Sequence, residues 1–189
     1  MARAGLTPDR VVAEGAAVAD DVGWDRLTLA EVAHRLGVRL PSLYKHVGGI
    51  EELRQGIARL ALEELVARLD VPEAAGDRAL MAMAWAYRDY AHAHPGRYAA
   101  TLRAPEPSDD AWVQAADRLL SVVMTVLAGY GLEGDDAIDA TRALRAALHG
   151  FVSLESAGGF AMDRDPTTSF TRMVDGLDAA FTTMRSVTA

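Results

Sequence analysis

Between Leu27 and Val47 two very short helical segments flank a single glycine, and no other stretch constrains the fold as strongly. Thr28-Leu29-Ala30-Glu31 has capping-box spacing, with the threonine hydroxyl covering a free backbone N–H and the glutamate returning the bond. Leu29, Val32, Ala33 and Leu36 then recur at helical spacing, and Gly37 can take the left-handed turn that a Cβ would penalise. A third helix is expected from about Leu40 to His46, with Pro41 tolerated in its first turn and Gly48-Gly49 breaking it. Two short helices around a glycine turn make a helix-turn-helix over about 28–47. Ala33 is small where the helices cross, and Val38 and Leu43 point inward. That leaves Arg39, Leu40, Ser42, Tyr44, Lys45 and His46 facing outward, with Pro41 at the helix entrance and Thr28 at the entrance of the helix before. Such a face can read base edges in a major groove.

Taken as a total, charge opposes a DNA partner, since the chain carries −8 overall. Its distribution reverses that reading. Residues 1–60 hold eight basic and eight acidic side chains, so the whole deficit lies in 61–189. Within 26–47, Arg26, Arg35, Arg39 and Lys45 stand against Glu31 alone. A small basic spot on an acidic body suits a DNA-contacting module joined to something else.

The rest of the chain also reads as helix, giving an all-α fold. Thr7-Pro8 opens a first helix that runs to about Asp21 and stops at Gly23. Ile50 to about Leu69 forms a long connecting helix, with Leu53, Ile57, Leu60, Ala61 and Leu65 on one face. Residues 70–77 read as a linker, followed by helices at about 78–93, 95–103, 109–130, 135–157 and 167–185. The expected division is a reading head at 1–49, a connecting helix at 50–69 and a helical second domain at 70–189. With 189 residues and no cysteine, disulfides, zinc-thiolate sites and thiol nucleophiles are excluded. The N-terminus lacks a signal-peptide core, and the apolar run from Leu119 to Tyr130 is far below the roughly 20 residues that span a bilayer. A soluble cytoplasmic protein, without membrane partner or cofactor, is the expectation.

The segment Leu27–Leu53 closely resembles the N-terminal domain of TetR-family transcriptional regulators. Leu27-Thr28, Ala33, Leu36-Gly37-Val38 and Leu43-Tyr44-Lys45-His46-Val47 reproduce its hallmark string without interruption. Arg142–Glu155 and Gly158-Gly159-Phe160 also look like the WHG-type regulatory domain of one branch. The resemblance implies a homodimer that represses transcription from a palindromic double-stranded DNA operator until a small hydrophobic effector releases it. It further implies that Tyr44 positions the helix on phosphate, while Lys45 suits either a base edge or solvent. Three positions depart from the pattern. Arg39 replaces a capping residue, Val47 a phenylalanine and Ile50 a phosphate-holding lysine. The alternative is a DNA-binding regulator without a ligand, controlled by abundance or a protein partner.

In the second half, Met81, Trp85, Arg88, Tyr98, Trp112, Met124 and His149 are the candidate effector contacts, being large apolar groups with a few polar anchors. Leu144, Leu148 and Phe151, with Phe170, Met173, Leu177 and Phe181, form apolar stripes on the last two helices. Each stripe can be buried within one subunit; the resemblance implies a four-helix dimer interface instead. His92 and His94 fall on different helix faces, so they do not form a metal pair. Ser153 near His149 and Glu155 lacks the elbow and oxyanion loop of a catalytic triad, so no catalytic residue or metal site is assigned.

Overall fold

Proline stands at the opening of α-helices at Pro8, Pro41, Pro95 and Pro166, and glycine closes them at Gly23 and Gly37. A computed structural model describes residues 5–69 and 78–184; the 70–77 linker lies outside them. Every element among the described residues is helical. These are α1 (Pro8–Val22), a 3-10 turn (Trp24–Arg26), α2 (Leu29–Leu36), α3 (Leu40–Leu43) and α4 (Ile50–Leu69). Then come α5 (Ala79–Ala93), α6 (Pro95–Ala100), α7 (Asp110–Ala128), α8 (Gly134–Ser156) and α9 (Pro166–Thr183). The all-α reading holds, with three changes: α3 stops at Leu43 rather than His46, α6 stops at Ala100 rather than 103, and the 3-10 turn had no signal in the periodicity.

Two compact units emerge. The first takes the residues through Leu65 together with Ala93–Asp117. Its core includes Val11, Val18, Leu27, Val32, Leu43, Leu53 and Ile57, all at most 4% exposed. The segment 93–117 belongs here because α6 seats directly on α1. A Cβ on Gly96 would stand 2.1 Å from the backbone carbon of Ala19, so only glycine permits that approach. Asp20 clasps the same helix. It accepts from the backbone N–H of Arg97 at 2.9 Å, and His94 Nδ1 lies 3.3 Å away. Arg97 also reaches Glu64 of α4 at 3.3 Å, so three helices share one ionic cluster. Asp109 caps α7 by accepting from Trp112 N–H at 3.0 Å and pairs with Arg59 of α4.

The second unit takes Val66–His92 and the residues from Arg118 on. Its core holds Leu80, Met83, Tyr90, Leu127, Leu144, Leu148, Phe170, Val174 and Phe181. An aromatic chain ties its helices together. Trp85 and Phe151 each meet Phe170 with ring centres 5.1 Å apart, and Phe160 of the α8–α9 connection folds onto Phe151 at 4.7 Å. Such edge-on pairs add about 0.5–1.5 kcal/mol each beyond area burial. The helix α7 has a mean hydropathy of 1.3 and 19 residues, which alone would pass for a membrane span. Asp117 and Arg118 at its middle are charges that a bilayer core disfavours.

Candidate nucleic-acid interface

The reading head is built from the capping threonine upward. Thr28 Oγ1 accepts from Glu31 N–H at 3.2 Å, which starts α2 cleanly and leaves the hydroxyl hydrogen for an outside acceptor. Gly37 ends α2 at φ 66° and ψ 32°, donating to the carbonyls of Ala33 and His34. The turn then enters α3 through Arg39, whose extended backbone precedes the helix and whose side chain makes no cap. In place of that cap, the Arg39 carbonyl accepts from Ser42 N–H at 2.8 Å.

Leu43 fixes the orientation of α3. It is wholly buried, with Val47 at 4% exposure beside it, and burial of a leucine contributes about 2–3 kcal/mol. Val47 therefore fills its place although smaller than phenylalanine. With Leu43 turned in, Arg39, Leu40, Pro41, Tyr44 and Lys45 are exposed on the other side, together with Thr28 on α2. Ser42 and His46 are half-buried at the rim of that face. Of the eight residues singled out from the sequence, six are exposed and two half-buried.

The basic spot is smaller than the sequence count. Arg35 turns back to α1, where its Nε lies 3.0 Å from Glu14 Oε1 and its other end binds Asp21. The bond to Asp21 raises its affinity for the proton, and its charge serves to hold α2 on α1. Arg39 and Lys45 carry the charge of the reading segment itself. At the start of α4, Gly48 N–H donates to Glu52 Oε2 at 2.5 Å, and Arg54 donates to Glu51 at 2.8 Å. That hydrogen bond from Arg54 holds the Glu51 carboxyl below its ordinary range, with Arg103 adding to the effect. Where Ile50 stands for a lysine, the neighbouring surface is acidic.

The seven candidate effector contacts divide between the two units. Tyr98 and Trp112 lie in the first unit, 7% and 1% exposed. The indole N–H of Trp112 is buried without a hydrogen-bond partner. Met81, Trp85, Arg88, Met124 and His149 lie in the second unit and are all half-buried. Arg88 is engaged, donating to both oxygens of Glu155 at 2.8 and 2.5 Å and stacking over Trp85 and Phe170 at 5.0 and 5.2 Å. His92 Nε2 lies 2.7 Å from the same carboxylate. Arg88 first, then His92, holds Glu155 below the usual carboxylate range against its desolvation. Glu155 is therefore committed to an ion pair, while Ser153 Oγ sits 3.3 Å from His149 Nδ1 without it. Sequence reasoning missed both this cluster and the Asp20–Arg97 clasp, because their partners lie 67 and 77 residues apart.

The stripe expected at a dimer interface divides. Leu144, Leu148, Phe170 and Phe181 are at most 3% exposed within this one chain, so they have no surface left to give a partner. Phe151, Met173 and Leu177 are half-buried. The outward faces of α8 and α9 carry Ile138, Arg142, Ala146 and Gly150, and Arg172, Gly176 and Ala179.

The description Tetracyclin repressor-like, C-terminal domain, matches residues 80–177. The HTH-type transcriptional regulator Rv0681 of Mycobacterium tuberculosis is 41% identical over 172 residues, 89% of this chain and 78% of its own. The chain belongs to the TetR family of transcriptional regulators. YobS of Bacillus subtilis, also an HTH-type transcriptional regulator, is 34% identical over 86% of each chain. Solved TetR-family structures share the fold at lower identity. A TetR variant of Acinetobacter baumannii in complex with minocycline superposes with TM-score 0.73 at 24% identity, covering 96% of this chain and 99% of its own. Apo ActR of Streptomyces coelicolor gives 0.72 at 20%, covering 97% and 98%. As a TetR-family member the protein is a DNA-binding transcriptional regulator and not an enzyme.

Proposed function

We propose that the protein is a cytoplasmic homodimeric repressor that holds a palindromic operator and releases it when a small hydrophobic molecule binds the second unit. The observation that carries the reading is the outward face of α3. Arg39, Leu40, Tyr44 and Lys45 are exposed around a wholly buried Leu43, an arrangement that serves no internal packing. A recognition helix of four residues contacts too few base pairs to be selective alone. Two of them one DNA turn apart, about 34–36 Å, read a palindrome.

For the dimer we propose the outer faces of α8 and α9 in place of the buried stripe. Gly150 and Gly176 have open space where a Cβ would stand, and small residues allow helices to approach closely. Ile138, 44% exposed, gives that surface an apolar anchor. For the effector we propose the neighbourhood of Met81, Trp85, Met124 and His149. These large side chains are half-buried in the second unit, as the walls of a ligand site are. Methionine adapts to irregular shapes, and Thr141 Oγ1, 3.6 Å from Met124 Sδ, puts a hydroxyl among them. The minocycline complex of the A. baumannii protein supports a ligand in this fold. Gel-shift titration of a promoter fragment with and without candidate effectors tests the whole reading. Retention of the duplex at every effector concentration that stabilises the protein thermally would remove the release step.

A further inference from the structure

We infer that Leu40 reads the C5-methyl group of thymine in each operator half-site. The inference rests on the DNA-binding reading above and names what that face selects. Although α3 has four residues, Leu40 on it and Tyr44 just beyond it are large apolar side chains standing in solvent, 37% and 55% exposed. Spacing of four residues puts both on one side. The buried Leu43, with its carbonyl accepting from Val47 N–H at 3.0 Å, keeps that side turned outward. Pro41, also exposed, adds more hydrocarbon and brings no backbone N–H.

The leading edge of the reading face therefore offers carbon where a donor or acceptor is the usual base reader. In the major groove the purine N7 and O6, the adenine and cytosine amino groups and the thymine O4 all need polar partners. Pressed against Leu40 they would lose water without a replacement bond, which is costly. The thymine methyl is the one apolar group there, and it gains by the contact. Arg39 and Lys45 stand exposed on either side of the patch in a chain of net charge −8. That local positive charge matches phosphate, so the occupant is nucleic acid and not a protein surface.

The test begins with a duplex selected by the full-length protein from a random-sequence library. Each thymine in a half-site is then replaced by deoxyuridine, which removes the methyl and leaves pairing unchanged. The expected result is one position per half-site where affinity falls about fourfold, the worth of one buried methyl. Leu40→Ala is expected to bind the thymine and uracil duplexes equally, while Leu40→Met, which keeps the hydrocarbon, still distinguishes them. Thermal melting checks that both variants fold like the parent. Wild-type protein that binds all uracil duplexes as tightly as thymine, a selected site without thymine, or Leu40→Ala that keeps the preference would each overturn the inference. Failure to select any duplex would instead overturn the DNA-binding reading, and this inference with it.

Discussion

A side chain on α3 can either hold the helix in place or meet what lies outside, and burial separates the two roles. Leu43 holds. Leu43→Ala is expected to cost about 2–5 kcal/mol in chemical denaturation, because it empties a site with no solvent access. Tyr44 and Lys45 face outward, so Tyr44→Ala and Lys45→Ala are expected to keep wild-type melting while weakening operator binding in gel-shift titrations. Loss of the lysine removes one cation per head, which should flatten the slope of log affinity against log salt by about two for a dimer. Unchanged slope and affinity in both variants would place the helix outside the groove. Glu155 supports a prediction of another kind. Its carboxyl is held below the ordinary range by Arg88 and His92, so the pair stabilises the folded state at neutral pH. That contribution is present above the unfolded glutamate value, about 4.3, and is lost as pH falls through the lower folded value. Acid titration of stability should therefore be shallower for Glu155→Gln than for the parent over that window. Thr28, Gly37 and Leu43 were legible in the sequence because their roles are set by neighbours within a turn or two. Arg35 was not: a count of charges shows the arginine, but not Glu14 and Asp21 that neutralise it.

At the scale of elements, periodicity placed seven of the nine α-helices within two residues at each end and overextended α3 and α6 by three residues each. In α3 the apolar spacing continues to Val47, but the backbone turns through Tyr44 to His46. Periodicity tells which face a helix buries without telling what covers it. This is why Tyr98 and Trp112 were grouped with Met81 and Trp85 although they pack in a different unit. The same ambiguity affects the stripes of α8 and α9, whose Leu144, Leu148, Phe170 and Phe181 are covered by their own subunit. The sequence places Gly96 only at the start of a helix at about 95–103, yet it is where α6 lies on the backbone of α1. In an ordinary helix, alanine in place of glycine gains about 1 kcal/mol. Gly96→Ala is expected to reverse that sign and cost about 3 kcal/mol, since the atoms it meets are backbone and cannot give way. A melting temperature at or above wild type would show that the α1–α6 approach is looser.

For the molecule as a whole, the buried faces of α8 and α9 bear on folding, and their outward faces on the dimer proposed above. Ala179→Glu on the outer face of α9 is expected to leave helicity intact and yield monomers by light scattering, with operator affinity falling as the second head is lost. Leu148→Glu, at 3% exposure, is expected to unfold the chain before any question of assembly arises. Dimers of unchanged strength in Ala179→Glu would move the interface off this face.

The seat of α6 on α1 also bears on how such regulators are recombined. Reading heads are naturally treated as cassettes that end where the fourth helix begins, to be spliced onto a new sensor. Here a transplant cut at residue 50 would part Asp20 from Arg97 and set Ala19 against whatever side chain the recipient carries at the place of Gly96. The residues through Leu65 and Ala93–Asp117 pack as one unit, so a chimera is expected to keep the head's own packing only when both pieces are carried together.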